Sequence, residues 1–168
     1  MIRPYPEKNA RNRSSKMSRH PTNAIRRILC PVDFDEPISS ANEFASMLAK
    51  TTGASIHYIY CACPEVIFGK REFNELKKEE AEDLQKLKTI KPRFRGIKTV
   101  YEIEFGNAAE CIVDYASENE CDIIVIGTHG RKGIGRMFMG SVAEDVMRNA
   151  DCPVVSVKSN THVPCAVG

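Results

Sequence analysis

Short apolar segments alternate with segments of helical periodicity along most of the chain, and this alternation limits the possible folds more than any other feature of the sequence. The apolar segments predict strands at 27–33, 54–61, 97–104, 121–127 and 153–158. The amphipathic segments predict helices over 37–51, 71–90 and 141–150, and one after Asn107. Because crossovers between parallel strands are right-handed and helical, this order predicts an α/β fold with a mostly parallel sheet and helices on both faces.

Helical spacing also predicts which side chains of these helices face the sheet. In the first helix they are Ile38, Ala41, Phe44, Ala45, Leu48 and Ala49. The second segment carries Phe73, Leu76, Ala81, Leu84 and Leu87 among many charges, which predicts a long, exposed amphipathic helix. For the third helix we expect Asn107 as the N-cap, followed by a buried face of Ala109, Ile112, Val113 and Ala116.

The segment GTHGRKGIGRMFMGS, residues 127–141, follows the most apolar strand, CDIIVIG. In open α/β sheets, ligands bind beyond the carboxyl ends of the strands, where the winding direction changes. Gly127, Gly130 and Gly140 would allow positive φ and close approach of a ligand. Ser141, with Glu144 three residues later, predicts a capping box at a helix N-terminus, whose N–H groups suit phosphate. The cations of this loop, Arg131, Lys132 and Arg136, add positive charge.

Two better-known phosphate motifs fail in this sequence. The only Gly-Lys pair, Gly69-Lys70, is followed by Arg71, and Pro64 stands where a Walker loop needs its first glycine. A dinucleotide fingerprint would start at Gly133 and Gly135, but Phe138 occupies its last glycine position. The glycine loop therefore needs a different interpretation.

Composition limits the classes of partner and compartment. The chain carries a net charge of +2, but residues 1–20 hold six basic residues against Glu7, so the remainder is acidic and does not resemble a nucleic-acid-binding domain. No apolar stretch approaches the roughly 20 residues of a membrane helix, so no membrane partner is expected. The seven cysteines include no C-x-x-C pair and mostly lie in apolar runs, which favours a cytoplasmic protein without metal or disulfides.

The spacing of the loop glycines resembles a known signature. Gly127-x-x-Gly130, nine further residues and then Gly140-Ser141 match the G-2x-G-9x-G-[S/T] pattern of ATP-binding universal stress proteins. The resemblance extends over about residues 25–158, including RRILCPVDFDEPISSANEFASMLAKTTGASIHYIY and IGTHGRKGIGRMFMGSVAEDVMRNADCPVVSV. It implies a single Rossmann-like domain over 25–158, of the adenine nucleotide alpha hydrolase type, with strand order 3-2-1-4-5. A disordered basic arm at 1–24 and a flexible end at 159–168 are expected to flank it.

The resemblance also implies a ligand and its contacts. An adenine nucleotide, ATP or in its place AMP or ADP, would bind between the first and fourth strands, with Mg²⁺ held by its phosphates. The residues carried over by position are Pro31, Val32, Asp33, Cys61, Ile126, Gly127, Gly130, Arg131, Gly140, Ser141 and Val142. Tyr60 and Cys61 depart from the His and Val of many members. A homodimer is implied, with the last strand, Pro153 to Val157, pairing across it.

Three functional hypotheses follow. The first is a nucleotide-binding regulatory module in a stress response, because the binding signature comes with no evident nucleophile, base or metal cage. The second is a slow ATPase or self-phosphorylating enzyme, with Ser141 or Thr128 accepting phosphate, although no residue is assigned a catalytic role. The third, a receiver-like domain with Asp33 as the acceptor, is disfavoured, because receivers place that Asp after their third strand.

Overall fold

The computed structural model describes residues 24–34, 40–62, 73–128 and 140–158. Within these residues, strands and helices alternate as the sequence predicts. In chain order they are β1 (Arg27–Pro31), α1 (Ser40–Thr52), β2 (Ser55–Ala62), α2 (Phe73–Thr89), β3 (Thr99–Phe105), α3 (Ala108–Glu118), β4 (Ile123–Gly127), α4 (Ser141–Asn149) and β5 (Val154–Val157). Residues 1–23 and 159–168, for which an arm and a flexible end are predicted, lie outside the described residues.

The five strands form one sheet in the order β3-β2-β1-β4-β5, and all neighbouring strands are parallel. In the middle strand, Ile28 pairs with Ile56 of β2 on one side and with Ile123 of β4 on the other. The predicted α/β class and strand order are therefore confirmed. In the parts of the chain that the structure describes, no helix has the length and apolar content needed to cross a membrane.

Helices cover both faces of the sheet, which explains why the strands read as continuous apolar runs. On one face, Ile28, Tyr58 and Val125 pack with α1 and with the end of α2. On the other face, Leu29 and Ile124 pack with α3 and α4. Because successive strand residues point to opposite faces, β1 and β4 contribute to both cores and leave no side of the sheet bare.

The inner face of α1 contains polar side chains that apolar periodicity did not predict. Ala41, Ala45 and Ala49 are buried as expected, and Phe44 and Leu48 are half-buried, but Asn42 and Ser46 are buried as well. Ile38 lies outside the described residues. The predicted face was therefore too narrow, because the buried surface of α1 includes positions where a polar side chain can bond to its neighbours.

These two polar residues connect α1 to β2 and to the segment after α2. The Tyr58 hydroxyl donates to Asn42 Oδ1 at 2.7 Å, and Asn42 Nδ2 donates to the Lys91 carbonyl at 3.0 Å. Ser46 Oγ donates to the Asn42 carbonyl at 2.7 Å and accepts from the Arg93 N–H at 3.0 Å. The network satisfies the polar groups that are buried between α1 and the sheet, and it fixes α1 against the sheet.

The last turns of the second helix pack against the sheet. Leu87 is fully buried and Leu84 is half-buried, whereas Ala81 is exposed. Residues 77–82 are all exposed, so among the side chains described in this helix those that approach the sheet come after Glu82. The side chains of Phe73 and Leu76 lie outside the described ones.

The start of α3 agrees with its prediction. Asn107 is the N-cap, and its Oδ1 accepts from the N–H groups of Ala109 at 2.9 Å and Glu110 at 3.3 Å. In the helix that follows, Ala109, Ile112 and Ala116 are buried. The cap holds the first turn of α3 at the carboxyl end of β3, next to the end of β2.

Candidate functional site

The strand order places the change of winding direction between β1 and β4. The chain leaves β1 towards α1 on one face of the sheet and leaves β4 towards α4 on the other face. Such a divergence opens a crevice at the carboxyl ends of the two strands. Pro31, Val32 and Asp33 lie at this end of β1, and Gly127 lies at this end of β4, all of them half-buried.

Main-chain hydrogen bonds fix the walls of this crevice. The Val32 N–H donates to the Ile59 carbonyl of β2 at 2.8 Å, which continues the β1–β2 pairing up to Asp33. The Thr128 N–H donates to the Val157 carbonyl of β5 at 2.9 Å. Asp33 and Gly127, far apart in sequence, therefore lie at the ends of neighbouring strands of the same sheet.

Both ends of the glycine loop meet at the same place. The Gly140 N–H donates to the Thr128 carbonyl at 2.9 Å, so the residue before α4 contacts the residue after β4. Gly127 and the pair Gly140-Ser141 are thereby brought together. Residues 129–139, which include the predicted contacts Gly130 and Arg131, lie outside the described residues.

The described glycines of this loop do not have positive φ. Positive φ occurs at Gly53, Gly96 and Gly106, whereas Gly140 has φ −61° and Gly127 is not in the left-handed region. Gly127 and Gly140 therefore do not use the positive φ that glycine allows. At Gly127 the structure offers another reason for a glycine, because an added Cβ would meet no heavy atom of the described residues within 4 Å. The strand end faces open space that a ligand can enter.

The predicted capping box at Ser141 is also wrong. Gly140 is the N-cap, with φ −61° and ψ 146°, and Ser141 is the first helical residue. The Glu144 N–H donates to the Gly140 carbonyl at 3.1 Å. The Glu144 carboxylate accepts a hydrogen bond from Arg148 at 2.8 Å instead of one from the main chain at the start of the helix. The N–H groups of Ser141 and Val142 precede this first intrahelical bond, and both residues are exposed. A helix N-terminus of this kind favours an anion.

The remaining predicted contacts differ in what they can present. Ile126 is buried between the sheet and the helices α3 and α4, so only its main chain can reach a ligand. Cys61 is half-buried near the end of β2, beside Glu104 of β3 in the strand register. Thr128 is only 6% exposed, which leaves its hydroxyl with little access to a substrate.

One feature beside the crevice was not predicted. Phe34, directly after Asp33, stacks on Tyr60 of β2 with ring centroids 4.1 Å apart and planes 29° apart. The Lys86 ammonium lies 5.8 Å from the Phe34 ring centroid. These contacts anchor the chain immediately after Asp33 and keep the carboxylate at the strand end. The aromatic residue next to Asp33 was the available signal for this anchor.

The described residues hold no metal cage of their own. No three His, Cys, Asp or Glu side chains among them come close enough together to bind an ion. What the crevice presents is an acidic side chain on β1, open space beside Gly127, and exposed N–H groups at the start of α4. This arrangement suits a ligand that has both hydroxyl and anionic groups.

Comparison with known proteins gives a consistent family. The family model described as "Universal stress protein family" matches residues 24–158. Universal stress protein MJ0531 of Methanocaldococcus jannaschii is 34% identical over 147 residues, covering 83% of this chain and 86% of that protein. The structure of protein MJ0577, from the same organism, is similar with a TM-score of 0.69 and 28% identity, covering 82% of this chain and 99% of that one.

Two further structures with this fold hold adenine nucleotides. A universal stress protein in complex with cAMP has a TM-score of 0.56 and 18% identity, covering 82% of this chain and 99% of that one. A universal stress protein from Archaeoglobus fulgidus in complex with dAMP has a TM-score of 0.51 and 21% identity, covering 78% and 96%. The family model matches residues 24–158, and Universal stress protein MJ0531 is 34% identical to this chain over 83% of its length. This chain therefore belongs to the universal stress protein family.

Proposed function

We propose that this protein binds an adenine nucleotide in the crevice between β1 and β4 and acts as a regulatory module in a stress response. The observation that carries the proposal is the bond from the Gly140 N–H to the Thr128 carbonyl, which brings the two ends of the glycine signature together opposite Asp33. The cAMP and dAMP complexes of proteins with the same fold support the choice of ligand.

The proposed roles follow from what each residue presents. Asp33 accepts from hydroxyl groups of the adenosine part, and the main chains of Pro31, Val32, Cys61 and Ile126 line its path. Gly127 and Gly130 lie near the ribose. The phosphates bind at Gly140, Ser141 and Val142, with Arg131 supplying positive charge. Where ATP is the ligand, its phosphate oxygens and water would hold Mg²⁺, because the described residues form no metal cage.

Titration calorimetry with ATP, AMP and cAMP tests this assignment. We expect Asp33→Asn to weaken binding about 10- to 100-fold, because a hydrogen bond to a charged group contributes about 1.5–3 kcal/mol. Asp151→Asn is the matched control, since Asp151 is exposed and lies just before β5, at the amino ends of the strands and away from the crevice at their carboxyl ends. Unchanged affinity in Asp33→Asn, or no binding of any of the three nucleotides to the wild type, would contradict the proposal.

Self-phosphorylation is the second candidate, and one observation selects its acceptor. Ser141 is exposed at the first helical position, next to the proposed phosphate site, whereas Thr128 is buried. A phosphoryl acceptor needs an in-line approach to the γ-phosphate. Incubation with labelled ATP and Mg²⁺, followed by mass mapping, should therefore place any modification on Ser141. The receiver-like alternative is overturned by the strand order, because receivers have the order 2-1-3-4-5.

We also propose that the protein forms a homodimer through β5. This strand lies at one edge of the described sheet, with Val154 and Val155 half-buried. An edge strand offers unpaired main-chain groups to a second copy. Sedimentation velocity over a range of concentrations should show a dimer, and a monomer at every concentration would contradict this expectation.

A further inference from the structure

Two cysteines lie together at the carboxyl end of β2, and the proposed nucleotide site does not use their thiols. Cys61 is in β2 and Cys111 is in α3, and their thiol groups are in hydrogen-bonding contact. Neither forms a disulfide in this structure. Because the two residues belong to different elements, tertiary folding alone brings their sulfur atoms together.

Both sulfur atoms lie beside the turn that connects β3 to α3. The Cys61 thiol donates to the Ala108 carbonyl, with Sγ and O 3.8 Å apart. A Cβ added at Gly106 would stand 3.1 Å from Cys111 Sγ, and Gly106 has φ +144°, where other residues are strained. A glycine at 106 therefore leaves the space that the Cys111 sulfur occupies.

The two thiols differ in access to solvent. Cys61 is half-buried, whereas Cys111 is 6% exposed. A small oxidant in solution therefore reaches Cys61 first. Its hydrogen bond with Cys111, burial and the nearby Glu104 carboxylate raise the pKa of Cys61, so the resting group is the protonated thiol and only its small thiolate fraction reacts with an oxidant.

We propose that Cys61 and Cys111 are an oxidant-responsive pair that forms a reversible disulfide in the presence of hydrogen peroxide. The Cys61 thiolate attacks one peroxide oxygen, the O–O bond breaks, and Cys61 becomes a sulfenic acid while one water forms. The Cys111 thiolate then attacks the Cys61 sulfur and displaces hydroxide, which leaves as a second water after taking up a proton. Two thiols are oxidised, one peroxide is reduced to two waters, and a dithiol reverses the reaction.

The position of the pair gives the disulfide a consequence for ligand binding. A disulfide requires the two sulfur atoms to approach to about 2.05 Å, closer than hydrogen-bonded thiols. This draws the end of β2 towards the first turns of α3 and shifts the main chain at Cys61, a proposed adenosine contact. The oxidised protein should bind the nucleotide more weakly; this consequence, unlike the disulfide itself, rests on the proposed function.

Peptide mapping tests the disulfide. The reduced full-length protein is treated with hydrogen peroxide, its remaining thiols are alkylated, and its digest is analysed with and without dithiothreitol. We expect a peptide pair linked through Cys61 and Cys111 that dithiothreitol separates. The linked pair should be absent from Cys111→Ser and Cys111→Ala, and present in Cys152→Ser, which alters a half-buried cysteine before β5. An unlinked Cys61, or one linked to Cys63 or any other cysteine, would overturn the proposal.

Calorimetry of the reduced and oxidised forms tests the consequence. We expect oxidation to weaken nucleotide binding at least about fivefold, with recovery after reduction, in the range of ordinary coupling between two sites. Equal affinity of both forms would overturn the coupling. A reduced protein that binds no nucleotide but still yields the linked peptides would contradict the proposed function and support the redox pair.

Discussion

Gly127→Val should abolish most nucleotide binding while leaving the fold intact, a loss of at least about 100-fold in affinity, or about 3 kcal/mol. Among the described residues, no heavy atom lies within 4 Å of the added Cβ, and a β-branched residue suits the end of a strand, so we expect the free protein to accommodate it. A bound ribose and phosphate would compete for the same space. Calorimetry measures the affinity, and thermal unfolding measures the fold.

Gly127→Ala provides the matched comparison. It places a single carbon in the open space, so we expect a loss of about tenfold, corresponding to about 1.4 kcal/mol. The midpoint of thermal unfolding should stay within a few degrees of the wild type for both variants, because neither side chain enters the packed core. If Gly127→Val bound the nucleotide as tightly as the wild type, the ligand could not lie beside the end of β4.

Asn42→Ala should cause the largest loss of stability among the polar substitutions considered, about 2–3 kcal/mol. The Tyr58 hydroxyl donates to Asn42 Oδ1 at 2.7 Å, and Tyr58 is fully buried, so no water can replace the lost acceptor. The bond between Asn42 Nδ2 and the Lys91 carbonyl is lost as well. In a domain of this size the unfolding midpoint should fall by about 5–10 °C.

The control for this variant is Asn149→Ala. Asn149 Nδ2 also donates to a main-chain carbonyl, that of Asp145 at 2.8 Å, but the bond is exposed and water can replace it. Its loss should change the free energy of unfolding by less than about 0.5 kcal/mol. Chemical denaturation of both variants compares the two environments directly. A similar, small change in both would show that the buried network does not stabilise the protein.

The family signature was visible in sequence because its spacing is local. Gly127, Gly140 and Ser141 lie in one short segment, and the strand before it is apolar at nearly every position. The alternation of strand and helix periods likewise predicted each described element, since those periods depend on neighbouring residues alone. The strand order came with the family resemblance, and the observed sheet confirms it.

The wrong predictions concern positions where tertiary contacts compete with a local rule. Ser141 and Glu144 have the spacing of a capping box, but Gly140 takes the N-cap position and Glu144 bonds Arg148. Asn42 was not among the predicted inward-facing positions of α1, because the Tyr58 hydroxyl that it binds belongs to another element.

The sequence by itself determined the element types, the glycine spacing and, through resemblance, the family, because periodicity and spacing are properties of short segments. Only the tertiary structure decided that Asp33 lies across the sheet end from Gly127, that the loop closes through Gly140 and Thr128, and that Cys61 contacts Cys111. These pairs join residues from different elements. Their proximity depends on strand order and helix packing, which no local pattern encodes.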